Sequence, residues 1–337
     1  MPSSKPVTCR ATGSAGAGKK RRFTFVKKIT EMAIPTSRTK EKAQILINPD
    51  LCIGCSLCVQ VCKDYSLTMQ NSKATEADDP FFGCIGCGHC MAVCPTGAIQ
   101  IRGRELSPDN LFDLPGKESA ATYAQMLALL QRRRSIREFR DKPVEPELIE
   151  KILGAAQTAP MGLPPSDVNV LVLENRDRVR AFSEDFCHYL SGLKWFVSGW
   201  FLALMRPFWG KANDELFRQF VKPLFHIYTG EMERGTDLVT YDAPAAFYFY
   251  GSPYTDPADP IVAATYAMLA AESLGLGTCM LGAIHPLIQS GKKARKFREK
   301  HGIRFASREG VFVIVGYPRI KFQKGIRRTF ASVTFQN

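Results

Sequence analysis

Eight cysteines between residues 52 and 94 carry the clearest chemical signal of the chain. They form two runs of identical spacing, C-x2-C-x2-C-x3-C, one beginning at Cys52 and the other at Cys84. In such a run three thiolates of one tight loop hold three corners of an iron-sulfur cube, and the fourth thiolate binds the neighbouring cube. We therefore predict two 4Fe-4S clusters. The first takes Cys52, Cys55, Cys58 and Cys94 as ligands, and the second takes Cys84, Cys87, Cys90 and Cys62.

Two other uses of these cysteines fit less well. Zinc sites use paired CxxC knuckles with four ligands per ion and no crossing partner. A disulfide scaffold is typical of small secreted domains, whereas this chain is long enough to form its own core. Gly54 and Gly86 occupy the same place in each run, and we expect them to let the backbone approach the inorganic sulfide closely.

The cysteine-rich stretch resembles a bacterial-type two-cluster ferredoxin over about residues 45–102. The chain has 337 residues, far more than a ferredoxin needs, so we expect a second domain with its own core. The other three cysteines, Cys9, Cys187 and Cys279, lie far apart in the sequence. Free thiols together with oxygen-sensitive clusters predict a reducing, cytoplasmic location.

The positive charge of the chain is concentrated at its N-terminus. The net charge is +13, but residues 1–42 contain eleven Lys or Arg against two Glu. We predict that this segment is a disordered basic tail, and that the folded protein binds neither nucleic acid nor membrane. The run Lys19–Phe23 resembles a paired-arginine export signal, but no apolar region follows it. We therefore expect no export. Translation that starts at Met32 rather than Met1 would explain the run, and an arm that binds nucleic acid is the functional alternative.

Apolar periodicity predicts the elements that must position any site. Short strands at 45–47 and 99–101 flank the cysteine runs. A linker over 107–116 precedes a helix over 119–133, whose one face carries Tyr123, Met126, Leu127 and Leu130. Further elements are predicted in chain order: a helix at 146–156, a strand at 168–173, a core or interface helix at 193–205, a strand at 245–250, a helix at 261–274, a glycine-rich loop at 275–282 and a strand at 310–317.

A cluster of cations follows the helix predicted at 119–133. It consists of Arg133, Arg134, Ser135 and Arg137. Guanidinium groups and a hydroxyl on one turn suit a phosphate, because they give bidentate and short hydrogen bonds. The same residues are also typical of a solvated helix end.

The order of motifs extends this interpretation. An R-R-S-I-R turn, an Ala159–Gly162 loop, a G-L-G-T-C loop, a G-Y-P strand end and a terminal basic stretch follow one another. In that order residues 119–330 resemble the nitroreductase family, and the whole chain resembles ferredoxin-nitroreductase fusions within it. The resemblance implies an α+β fold, in which a ferredoxin-like two-cluster domain precedes an FMN-dependent nitroreductase-like domain, and a homodimer that binds FMN at its interface.

Site residues follow from the same resemblance. It implies that Arg133, Arg134, Ser135 and Arg137 hold the FMN phosphate and ribityl chain, together with Lys324 and Arg327 from the C-terminal end. Met161 and Gly162 would lie beside the isoalloxazine ring, although the usual serine, asparagine and glutamine are replaced here by Met161–Ser166. Leu281 and Gly282 would present backbone N–H groups near flavin N5. No proton donor stands out. The candidates, each more typical of a structural role, are Tyr241, Tyr250, His188, His226 and His285.

These observations predict four segments: a basic tail (1–42), a two-cluster ferredoxin domain (43–105), a linker (106–118) and a nitroreductase-like FMN domain (119–337). Clusters carry single electrons and flavin collects two, so we expect an oxidoreductase that passes electrons from a low-potential donor through the clusters and FMN to a nitroaromatic or quinone. Two alternatives remain open: an electron relay to or from a partner protein, and a flavoenzyme that uses NAD(P)H and drains electrons through its clusters. No separate G-x-G-x-x-G unit follows a strand.

Overall fold

The computed structural model describes residues 41–336, which all belong to one unit of the chain. The tail predicted over residues 1–42 lies almost wholly outside these residues. Around the cysteines, β1 (Gln44–Ile47) pairs antiparallel with β4 (Ile99–Arg102), which confirms the two predicted strands. Between them β2 (Leu67–Gln70) and β3 (Lys73–Glu76) form a hairpin that the sequence analysis did not predict. Both residues of its turn, Asn71 and Ser72, have positive φ, as a tight two-residue hairpin requires.

A four-stranded antiparallel sheet forms the centre of the second part of the chain. Its strands are β5 (Val168–Leu173), β6 (Ala245–Gly251), β7 (Gly277–Leu281) and β8 (Gly310–Gly316), in the spatial order β5-β6-β8-β7. Every residue of β6 and β8 is buried, because helices cover both faces of these two central strands. The antiparallel sheet with flanking helices confirms the α+β prediction.

Ten α-helices occur among the described residues. They are α1 (Leu57–Val61), α2 (His89–Val93), α3 (Tyr123–Arg132), α4 (Pro146–Gln157), α5 (Arg176–Ser191), α6 (Gly199–Leu216), α7 (Lys222–Glu233), α8 (Ala258–Ser273), α9 (Ile284–Leu287) and α10 (Lys292–Lys300). One sheet face packs against α4 and α8 through Ile152, Ala264 and Phe247. The other packs against α5 and α10 through Phe182 and Phe297.

Three predicted elements differ from those observed. The helix predicted at 119–133 begins only at Tyr123, because the Thr122 side chain caps the helix there. The helix predicted at 193–205 is broken at Ser198 into a short 3₁₀ turn and α6, and Trp200 on α6 is 64% exposed. The loop predicted at 275–282 is largely strand β7, because Gly277 allows close packing on Ile136 and the residues after it pair with β8.

None of the helices between residues 41 and 336 has the length and apolar character that crossing a bilayer requires.

Candidate functional site

The cysteine runs fold into two loops that each lead into a short helix. Cys58 lies in α1 and Cys90 in α2, while Cys62 and Cys94 stand at the C-terminal ends of these helices. The two helices pack against each other. The last cysteine of each run is therefore carried toward the loop of the other run.

The first group of thiols shares one cavity. Its lining includes Cys52, Cys55, Cys58 and Cys94, the set predicted for the first cluster. The Ala74 N–H lies 3.5 Å from Cys52 Sγ and, together with the Gly54 N–H, lowers the pKa of the Cys52 thiol. Lys73 Nζ donates to the Cys52 carbonyl at 2.6 Å. Hydrogen-bond donors and a cation thus favour the thiolate form, the form that binds metal.

The second group is identified by the electrostatics of its thiols. Burial, together with the neighbouring Cys84, Cys87 and Cys62, raises the pKa of Cys90 to about 12. Burial also raises the pKa of Cys84, with Cys87 and Cys62 again among the neighbours that add to the shift. Cys62 from the first run therefore lies with the second run, as the spacing predicts. Thiols with raised pKa values release protons when they bind a metal.

The donor set fits 4Fe-4S clusters. Each group offers four thiols, the soft ligands that iron-sulfur clusters take. Among the described residues no three His, Cys, Asp or Glu side chains are close enough to hold one metal ion. Ligands of a cube are spread more widely than those of one ion, because each thiolate binds its own iron.

The structure gives a reason for glycine at positions 54 and 86 other than close approach to inorganic sulfide. Gly54 has φ +73°, and a Cβ there would collide with the Ser72 carbonyl of the β2–β3 hairpin. Gly86 has φ +70°, and its Cβ would approach Arg104 Cβ at 3.2 Å. Contact with protein atoms therefore already excludes a side chain at Gly54, whereas a side chain at Gly86 requires Arg104 to shift by a few tenths of an ångström.

The cationic turn lies beside the start of β7. Ser135 forms a backbone bridge with Thr278, and the Ile136 N–H donates to the Thr278 carbonyl at 2.9 Å. Arg134 Nη1 donates to the carbonyls of Gln131 and Arg133 at 2.7 and 2.8 Å, which fixes its guanidinium at the end of α3. A cavity of about 290 Å³ is lined by Arg134 and Lys324, among others.

The other predicted FMN residues are distributed around this turn. Arg133 is half-buried beside Arg134. The guanidinium carbon of Arg137 lies 5.8 Å from the ring centre of Tyr241, and Arg137 does not line the cavity. Arg327 is exposed and does not line the cavity that Lys324 lines. Within residues 41–336 none of the three arginines at 133, 134 and 137 forms an ion pair with an acidic side chain. Their charge is therefore available to an anion.

Leu281 and Gly282 lie at the opposite end of β7. From Thr278 to Leu281 the strand advances three residues, which is about 10 Å at the usual rise. A Cβ at Gly282 would meet no atom within 4 Å, so the space beside this backbone is open. Thr278 Oγ1 is buried and has no hydrogen-bond partner among the described residues. Among the described residues, none of Thr278, Leu281 and Gly282 lines the cavity that contains Arg134 and Lys324.

The loop at Met161 and Gly162 is more restricted than expected. The Gly162 N–H donates to Asp259 Oδ1 at 3.0 Å, so this amide is already occupied. Asp259 is buried at the start of α8. Burial raises the pKa of its carboxyl, and the Gly162 hydrogen bond opposes this shift. Met161 is exposed, and its side chain is free to contact a ligand.

The candidate proton donors have mixed positions. Tyr250 and His285 are buried, and the pKa of His285 is lowered by burial. His285 Nδ1 lies 2.9 Å from the Tyr248 hydroxyl, in a buried network that also contains Gln289. His188 and His226 are exposed, while Tyr241 is half-buried. The sequence analysis did not single out Tyr248, Gln289 or Thr278, because their roles depend on contacts between distant elements.

Two family profiles match the chain. Residues 130–317 match the Nitroreductase family, and residues 45–101 match the 4Fe-4S dicluster domain. The FMN reductase [NAD(P)H] of Bacillus subtilis (strain 168) is 27% identical over 160 residues, which cover 48% of this chain and 55% of that relative. The match thus spans about half the length of the curated relative.

Solved structures also resemble the chain. A nitroreductase with bound FMN from Desulfitobacterium hafniense DCB-2 is 22% identical, with a TM-score of 0.45, and covers 63% of this chain and 97% of its own. A nitroreductase with bound FMN from Bacteroides fragilis NCTC 9343 is 19% identical, with a TM-score of 0.47, and covers 63% of this chain and 99% of its own.

Proposed function

Because the chain belongs to the nitroreductase family of oxidoreductases and carries a 4Fe-4S dicluster domain, we propose that it passes electrons from two 4Fe-4S clusters to FMN. From FMN the electrons reach an organic acceptor such as a nitroaromatic or a quinone. The external donor is a low-potential one-electron carrier. The proposal combines one-electron carriers with a cofactor that stores two electrons.

The observation that carries this proposal is the pair of crossed thiol groups in the same chain as a cationic turn whose arginines form no ion pair with an acidic side chain among residues 41–336. Eight thiols in two sets of four suit two cubes. The cations of the turn suit the phosphate of FMN. FMN, when bound, supplies two-electron reduction through its N5 edge.

We assign the following roles to the residues around FMN. Arg133, Arg134 and Lys324 bind the phosphate, and Ser135 positions the turn through its bridge to β7. The Cβ position of Gly282 borders open space, and we assign its backbone N–H as a donor to a ring that gains negative charge on reduction. Met161 covers an apolar edge of the ring.

We also propose a homodimer, because apolar residues near the site are exposed to solvent within one chain. Helix α3 has no fully buried residue, although Tyr123 and Met126 stand on its apolar face. The exposed apolar residues of the last segment, such as Phe330 and Phe335, likewise lack cover. A cavity of about 290 Å³ is at the lower limit for small-molecule pockets, so a second subunit would complete it. Sedimentation of the FMN-loaded protein as a monomer would contradict this.

The cofactor proposal is tested by anaerobic purification. We expect two cubes, hence about eight irons, and one FMN per chain. Dithionite should reduce the clusters, and these should then reduce the flavin in the absence of any other donor. Buried free thiols at Cys187 and Cys279 support a reducing compartment, so we propose a cytoplasmic location. Protein that contains iron but binds no flavin would refute the proposal.

A second candidate function is direct use of NAD(P)H. It is favoured by the relative in Bacillus subtilis, which is named for FMN reduction by NAD(P)H. Stopped-flow mixing of the oxidised protein with NADH and with NADPH distinguishes the two functions. Flavin reduction before cluster reduction would indicate that electrons enter at FMN.

A further inference from the structure

Arg104 occupies a strained turn immediately after β4. Gly103 and Leu106 exchange backbone hydrogen bonds at 3.0 and 3.1 Å, which closes a two-residue turn. The two central residues, Arg104 and Glu105, have φ values of +54° and +62°. This conformation is unfavourable for residues other than glycine, because the Cβ comes too close to the following carbonyl oxygen. Such strain persists where the surrounding contacts fix it, and it is often found at functional positions.

The guanidinium of Arg104 connects a cluster loop to the flavin domain. Its Nε donates to the Ile85 carbonyl at 2.8 Å, inside the loop between Cys84 and Cys87. Its Nη2 donates to the Pro164 carbonyl at 2.6 Å, in the loop that begins at Met161. These are charge-assisted hydrogen bonds, which are about twice as strong as neutral ones.

A third contact strengthens this arrangement. Arg104 Nη1 donates to the Glu41 carbonyl at 2.6 Å, and the nearby Ala43 N–H donates to the Cys84 carbonyl at 2.8 Å. Gly86 packs directly on the Arg104 side chain. The loop that starts at Cys84 is thus held by Arg104 at Ile85 and Gly86 and by the Ala43 N–H at Cys84.

Within residues 41–336 the other thiol group shows no comparable connection to the second domain. The cavity that contains Cys52, Cys55, Cys58 and Cys94 is lined by described residues between positions 47 and 99 only. No residue of the second domain contributes to it. The two predicted clusters therefore differ in their relation to the flavin domain.

We propose that Arg104 is a positioning residue that makes the cluster of Cys84, Cys87, Cys90 and Cys62 the one that reduces FMN. The inference rests on the proposed function and assigns an order to its electron path. The cluster of Cys52, Cys55, Cys58 and Cys94 then receives electrons from the external low-potential donor. Each transfer oxidises one cluster by one electron. Two such transfers, with protons from solvent, complete the two-electron reduction of the flavin.

The matched variants are Arg104→Ala and Arg102→Ala. Arg102 is exposed on β4, and its side chain forms no hydrogen bond or ion pair with a described residue. We first measure amide hydrogen exchange, which requires no turnover. Arg104→Ala should speed exchange in segments 83–90 and 161–166 together, whereas Arg102→Ala should leave both as in the wild type. Unchanged exchange in both segments of Arg104→Ala would overturn the proposal.

The second measurement is the rate of electron transfer from the clusters to the flavin. In anaerobic stopped-flow experiments with dithionite, flavin reduction through the clusters should slow about tenfold or more in Arg104→Ala, as expected when a distant contact that sets geometry is lost. Iron and FMN content should equal those of Arg102→Ala. If Arg104→Ala loses iron, Arg104→Lys is used instead, because one ammonium cannot serve all three carbonyls. Equal rates in the Arg104 and Arg102 variants would refute the inference.

A pair of cysteine variants tests the order of the clusters. Cys55 and Cys87 are the exposed second ligands of the two runs. Cys87→Ala should slow flavin reduction more than Cys55→Ala does. The rate at which dithionite reduces flavin directly, measured in the variant that carries both substitutions, is subtracted first. The opposite order would overturn the assignment. A wild-type protein without FMN or iron would instead refute the proposed function itself.

Discussion

Replacing Gly54 with alanine should release the first cluster far more readily than the same replacement at Gly97. Both glycines adjoin the cavity that contains Cys52 and Cys94, and both have left-handed backbone conformations, with φ of +73° and +64°. Their surroundings differ. A Cβ at Gly54 would collide with the Ser72 carbonyl, whereas a Cβ at Gly97 would meet no atom within 4 Å.

The expected loss of cluster retention follows from the backbone conformation and from the collision with Ser72. Alanine in the left-handed region costs about 1–2 kcal/mol at either position. The collision at Gly54 adds about 1–3 kcal/mol, the usual range for overpacking. Since 1.4 kcal/mol is a factor of about ten, Gly97→Ala should weaken cluster retention roughly tenfold and Gly54→Ala roughly a hundredfold to a thousandfold. Gly86→Ala, whose Cβ would lie 3.2 Å from the flexible Arg104 side chain, should fall between them at the second cluster.

The assay is the rate of iron release to a chelator under anaerobic conditions. Electron paramagnetic resonance of the reduced protein reports which cluster is lost. Circular dichroism checks that the sheet of the second domain is intact. Equal rates of iron release from Gly54→Ala and Gly97→Ala would show that the Ser72 carbonyl moves aside at no cost. The explanation of Gly54 by collision would then be wrong.

Three further predictions concern the second domain. Arg134→Ala should weaken FMN binding about 10- to 100-fold in equilibrium dialysis, since a hydrogen bond to a charged group contributes about 1.5–3 kcal/mol; Arg295→Ala, on the surface of α10, should change it little. Burial lowers the pKa of His285 below its ordinary 6.5, so the unfolded chain binds a proton that the folded chain does not. Stability should therefore fall as the pH drops below about 6.5, and His285→Gln should flatten this dependence of the melting temperature; an unchanged slope would contradict it. Tyr248→Phe removes a buried hydroxyl 2.9 Å from His285 Nδ1 and should cost about 1–3 kcal/mol in urea unfolding, whereas exposed Tyr254→Phe should cost almost nothing.

The sequence predicted the features that local spacing determines. The crossing of Cys62 and Cys94 follows from the distance between successive thiols along the chain, and the structure groups them accordingly. The strands β1, β5, β6 and β8 follow from short apolar runs. Both kinds of signal are carried by residues that are close in sequence.

Features that depend on distant backbone atoms were not predictable. Arg104 binds three carbonyl oxygens, from residues 19, 60 and 63 positions away. A carbonyl has the same chemistry at every residue, so no side-chain pattern indicates these partners. Strand β7 was predicted as a loop because Gly275, Gly277 and Gly282 suggest a turn. Its pairing with β8 and its bridge to Ser135 determine the strand instead.

Helix α3 carries the cationic turn at its end, but none of its own residues is fully buried. It contacts α8, where Arg132 Nε lies 3.8 Å from Glu272 Oε1, but Tyr123 and Met126 remain exposed, so a partner that covers them would fix the helix further. If that partner is a second subunit, dimer formation and FMN binding stabilise each other, because each fixes the same helix. Dilution of the purified protein should then release flavin, and the apparent FMN affinity should rise with protein concentration.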